Sequence, residues 1–150
     1  MSQRRPTPAD LLRGFMPPVV ERYDPERVKA SNIAGKVKRA AAEALKNSGR
    51  SREAVAAVMG EYLGEDVKTS VLAQYTSTAN DTHNIPAHRL IALFVATGDL
   101  KLLNTVLEGT GAIVVDAKYE ALIRREMLSE ARAQIEAEHQ AADQEWRKGR

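Results

Sequence analysis

The sequence predicts a mostly α protein: about five short helices followed by one long C-terminal helix. Three observations lead there. In SREAVAAVMGEYLGEDVKTSVLAQYTS (residues 51–77) apolar residues recur at three- and four-residue spacing on both sides of a Gly-Glu-Asp break, the outline of two amphipathic helices joined by a turn. Glycines stand where helical patterns end, at Gly49, Gly64 and Gly98, and Gly64 can take the left-handed conformation that closes a helix. From Asp116 onward there is no Pro or Gly before Gly149.

Residues 1–24 hold Pro6, Pro8, Pro17 and Pro18 with Arg4, Arg5 and Arg13 between them. Proline removes donors and disfavours helix in the residue before it, so a flexible basic arm is expected here. From residue 25 to 48 a single helix is expected. Asp24 is its cap, Pro25 sits where a missing N–H does no harm, and Gly49 ends it. Ile33, Val37, Ala40, Ala41, Ala44 and Leu45 form its buried stripe. Its other side is basic. Arg27, Lys29, Lys36, Lys38, Arg39, Lys46, Arg50 and Arg52 face the single acid Glu43 between positions 27 and 52, without the Glu at i−4 that solvated helices tend to carry.

Ser51 caps the next helix, whose stripe is Val55, Val58, Met59, Tyr62 and Leu63, and Gly64 closes it. Beyond the turn, Val67, Val71, Leu72 and Tyr75 make a second stripe and leave Lys68, Thr69, Ser70 and Gln74 pointing outward. STANDTHN (residues 77–84) is a polar loop. A fourth helix spans residues 86–97, with Leu90, Ile91, Leu93, Phe94 and Val95 as a wide apolar face. A fifth spans residues 100–107 after the cap Asp99. These bounds place a compact helical domain over residues 25–110.

Residues 111–115 are a short β-branched stretch, too brief for a core strand of its own but able to pair with its counterpart in a second subunit. In the long helix that follows, Ala121, Leu128, Ile135 and Ala142 recur every seven residues, half of a coiled-coil seam. Arg124, Ala131, Glu138 and Glu145 fill the other half poorly. Tyr119, Leu122, Ile123, Met127 and Leu128 are expected to pack near the domain, and the charged remainder to face solvent or a partner. Residues 111–150 are therefore read as an extended segment plus an oligomerisation or partner helix.

In this order of features the chain resembles phage regulatory proteins of the CII type, and more closely small regulators of Mu-like transposable phages, all with repressor-like helix-turn-helix domains. The residues that carry the likeness are SREAVAAVMGEYLGEDVKTSVLAQYTS, THNIPAHRLIALFVATGD and LKLLNTVLEGTGAIVV with the tail that follows, over about residues 30–130. The resemblance implies a second helix laid in the major groove of DNA, carried here by Lys68, Thr69, Ser70, Ala73, Gln74 and Ser77. Two features depart from the pattern: the turn exceeds three or four residues, and the reading helix contains no arginine.

Composition sets the limits around this reading. In a chain of 150 residues with net charge +2, residues 1–52 hold 12 Lys and Arg against 5 Asp and Glu, while residues 53–150 hold 10 against 15. A basic N-terminal third points to a polyanion. No apolar run approaches the roughly 18 residues that span a bilayer, and no signal-peptide core opens the chain, so a soluble, cytoplasmic protein without membrane contact is expected. There is no cysteine, and His83, His88 and His139 are scattered, so no metal or other cofactor is expected. Glu108-Gly-Thr-Gly111 lacks the Lys-Ser/Thr of a phosphate loop, and no local motif marks a nucleophile or an acid–base pair, so no enzyme activity is expected. The expected role is a sequence-specific, double-stranded-DNA-binding regulator of phage or prophage transcription. Its expected contacts are Lys36, Lys38, Arg39, Lys46, Arg50, Arg52, Lys68, Thr69, Ser70, Gln74 and Ser77, and it is expected to act as a homo-oligomer through its C-terminal region, with a phage or host protein as a further partner. The alternatives are a helical protein-interaction or assembly module, and DNA recognition in packaging or transposition.

Overall fold

A computed structural model of the chain describes residues 18–79 and 83–149. Most of the expected basic arm, and the centre of the loop after residue 77, lie outside the described residues. The chain divides into two compact units between Val115 and Asp116. The fold is mostly α. Its helices are α1 (Pro25–Val28), α2 (Ile33–Asn47), α3 (Arg52–Leu63), α4 (Thr69–Thr76), α5 (Ala87–Thr97), α6 (Leu100–Val106) and, in the second unit, α7 (Glu120–Lys148).

The single helix expected over residues 25–48 is in fact two. Asp24 caps α1 by accepting from the Glu26 N–H at 3.0 Å. The chain then leaves the helix, and the Asn32 side chain accepts from the Gly35 N–H at 2.8 Å to start α2. An asparagine that caps competes with helix continuation through itself. The break displaces the stripe: Ile33, at the first position of α2, is 56% exposed, while Ala40, Ala41, Ala44 and Leu45 are buried as expected.

α3 begins and ends where the sequence indicates. The Ser51 hydroxyl accepts from the Ala54 N–H at 3.2 Å, and Gly64 closes the helix at φ 69°. Val55, Ala56 and Met59 are its buried residues, whereas Tyr62, placed on the stripe by spacing, is 54% exposed. α4 buries Leu72 and Tyr75. α5 is anchored by Leu90, Ala92, Leu93 and Ala96, while Ile91 and Val95 are exposed. The expected apolar face is thus rotated toward its alanines, which allow close helix approach.

The core has two main helix pairs: α3 against α5, and α2 against α6, with α4 packed on both α2 and α3. Met59, Leu72, Leu93, Leu102 and Val55 are its largest fully enclosed side chains. Each buried aliphatic side chain contributes about 1.5–3 kcal/mol relative to exposure.

Residues 111–115 form no strand. The buried Asn104 side chain donates to the Val114 carbonyl at 2.9 Å and accepts from the Val114 N–H at 2.8 Å, and it also donates to the Glu21 carbonyl at 3.1 Å. Both backbone groups of Val114 are satisfied within the chain.

In the second unit Asp116 accepts from the Lys118 N–H at 2.9 Å and opens a 3-10 turn, Ala117–Tyr119, that leads into α7. No residue of α7 is buried. Met127, Leu128, Ile135 and Trp146 are exposed apolar side chains on a helix otherwise held by surface pairs such as Arg124–Glu120 and Arg147–Asp143.

Candidate nucleic-acid interface

α3, residues 64–68 and α4 form a helix, a five-residue turn and a second helix. Close backbone approach fixes the turn. A Cβ added at Gly60 would stand 2.7 Å from the Glu65 carbonyl oxygen, and the Glu65 N–H donates to the Gly60 carbonyl at 3.2 Å. The position admits no larger residue without a backbone shift.

Arg89, in the first turn of α5, holds α4 against this turn. Its Nε and Nη2 donate to Glu65 Oε1 at 3.1 and 2.8 Å, and its Nη1 donates to the Tyr75 hydroxyl at 2.8 Å. The Tyr75 bond and then the Glu65 bond raise the guanidinium further above its usual value. Sequence reasoning missed Arg89, because a pairing across 24 positions leaves no local pattern.

α4 presents a narrow polar face. Lys68, Ser70 and Gln74 are exposed; Thr69, Ala73 and Ser77 are half-buried. Lys68 occupies the N-cap position, where its side chain caps nothing. Gln74 stands one turn beyond Ser70 on the same side.

The expected basic face is divided by the structure. Lys36 is half-buried and paired with Glu108. Lys38 is 2% exposed, a correction to its expected place on the outer surface. The signal was present, since Lys38 shares its helical row with Ala34, Ala41 and Leu45 and so turns inward with them. Arg27 pairs with Glu43 at 3.4 Å and Lys29 with Glu26 at 3.6 Å. Arg39, Lys46, Arg50 and Arg52 are exposed. Among the described residues these four and Lys68 form no ion pair with a carboxylate.

The tertiary structure gathers three of these four at one end of α4. Lys46, Arg50 and Arg52 line a hollow of about 270 Å³ with Thr76, the last residue of α4. Arg39 lines a separate, smaller depression of about 150 Å³ with Asn32 and Thr78. Helix C-termini carry partial negative charge, so cations there are favourably placed. The Arg50 Nη1 also donates to the Ala96 carbonyl at the end of α5, at 3.2 Å.

Among the described residues no three His, Asp or Glu side chains converge as a metal site, and no helix is long and apolar enough to cross a membrane. A scan against protein-family models finds no match, and searches of curated proteins and of solved structures find none either.

Proposed function

We propose that this chain is a helix-turn-helix protein that binds double-stranded DNA and regulates phage or prophage transcription as a homo-oligomer. One observation carries the reading: the exposed Ser70–Gln74 face of α4 is bordered by Lys68 at one end and by Lys46, Arg50 and Arg52 at the other, with Arg39 exposed near Thr78, and no carboxylate among the described residues pairs with any of them. Cations left free in this way suit phosphates, whose neutralisation releases counterions and supplies the salt-dependent part of affinity. Gln74 can offer its amide bidentately to the N6 and N7 edge of adenine.

The test has two arms. Fluorescence anisotropy with random duplex at low salt should give salt-sensitive binding, and its absence overturns the reading. On a site selected from a random pool, Gln74→Ala should weaken binding by about 1–3 kcal/mol and relax the preference at one base pair, with non-specific duplex little affected. Equal loss on every single-base variant means that Gln74 reads no base.

A protein-interaction or assembly module is the second reading, favoured by α7: 29 residues, none buried. A sequence-independent partner helix of this kind would leave duplex binding absent in the first arm.

A further inference from the structure

The hollow at the C-terminal end of α4 has a shape and charge that the reading surface itself lacks. Three cationic side chains from two separate stretches, Lys46 near the end of α2 and Arg50 and Arg52 around the start of α3, converge on one space of about 270 Å³. That volume exceeds a water-sized void many times over. Arg50 is oriented by its bond to the Ala96 carbonyl, which fixes one arm of its fork and leaves the other. Thr76 contributes wall only, because its hydroxyl donates back to the Leu72 and Ala73 carbonyls at 3.2 Å. Nothing anionic among the described side chains lines this space.

We infer that this hollow is a seat for a tetrahedral phosphate group, and that on DNA it takes a backbone phosphodiester at the far end of α4 from Lys68. The inference rests on the DNA-binding reading only for the second half; the seat itself is a property of the hollow. α4 has eight residues, so Lys68 and Thr76 are separated by about 12 Å at 1.5 Å per residue. The major groove is also about 12 Å wide. A helix with a phosphate anchor at each end bridges the two phosphate rows that border the groove, and Ser70 and Gln74 between the anchors are then held over the base edges. Planar arginine forks match phosphate oxygens bidentately, which Lys68 does not offer. The hollow is therefore the stronger anchor of the two.

A different role for the same three cations is to neutralise the C-terminal end of α4 and nothing more. Titrating the full-length protein with pyrophosphate, followed by amide NMR, separates the two. The seat requires saturable shifts at residues 46, 50–54 and 76, and their loss in Lys46→Gln/Arg52→Gln, which spares the Arg50–Ala96 bond. On random duplex the same double variant should flatten the slope of log affinity against log salt by about 0.9, for the one phosphodiester that the hollow no longer neutralises. Absent pyrophosphate shifts, or a variant that melts earlier yet keeps the wild-type salt slope, overturn the inference in favour of helix-end neutralisation. Wild-type protein that takes pyrophosphate in the hollow but binds no duplex at low salt keeps the seat and removes the DNA reading instead.

Discussion

Two residues, Gly60 and Asn104, fix the backbone at the turn before α4 and at the end of the first unit. Gly60 lets α3 and the turn approach until there is no room for a methyl group, with the Glu65 carbonyl 2.7 Å from where it would stand. Gly60→Ala should destabilise the protein by about 1–3 kcal/mol, the usual range for overpacking a tight contact, and should lower duplex affinity as α4 shifts; a chemical-denaturation midpoint equal to wild type refutes this. Asn104, 4% exposed, is the surrogate partner of Val114 and Glu21. Asn104→Ala strands one N–H and two carbonyls, for about 1–3 kcal/mol per group left unsatisfied in the interior, less where water enters. Hydrogen exchange should quicken at the Val114 amide before it quickens in α3 or α5. Simultaneous quickening everywhere would show a global loss of stability and not a local clamp.

At the scale of elements, helix ends are well specified and helix faces less so. Asp24, Asn32, Ser51, Asp99 and Asp116 each accept from a backbone N–H two or three residues on, a local chemistry that needs no tertiary partner. Faces depend on what packs beside them. α6 illustrates the difference, because its cap Asp99 also accepts the Tyr23 hydroxyl at 2.6 Å and so ties the chain before α1 to the start of α6. Burial first, and the Asp99 bond and charge second, push the Tyr23 phenol well above its ordinary value of 10.0. A folded-state value raised above the unfolded one gives stability that is fully present below the unfolded value and is lost as pH rises beyond it. Stability should therefore fall above pH 10, where the unfolded phenol ionises and the folded one does not. Tyr23→Phe should be less stable at neutral pH and show a shallower alkaline decline; parallel pH profiles for the two proteins would place the alkaline transition on another group.

For the whole molecule, the division after Val115 is the useful boundary, because the Asn104 clamp belongs to the first unit and is kept by a cut there. Long helices with no buried face gain little from propensity alone and are sustained by packing, so α7 is the expected self-association element. A chain ending at Val115 should stay folded, run at the monomer mass by light scattering, and lose affinity for a two-half-site duplex more than for a single half-site. An unchanged assembly mass would move the subunit contact into the first unit.

What the sequence by itself determined was the helical class, the caps at Asp24, Ser51, Asp99 and Asp116, the turn at Gly64 and the long tail helix, since periodicity and capping are properties of neighbours along the chain; the break that Asn32 caps was not read from it. It also showed that the basic third carries more cations than acids, but not which of them stay free. Helical spacing already turned Lys38 inward, and tertiary structure decided the rest: Glu108, 72 positions from Lys36, takes that lysine, and the fold of α2 and α3 around the end of α4 brings Lys46, Arg50 and Arg52 to one hollow. Ion pairs and shared cavities join residues distant in sequence, and only the packed chain sets the distances on which their electrostatics depend.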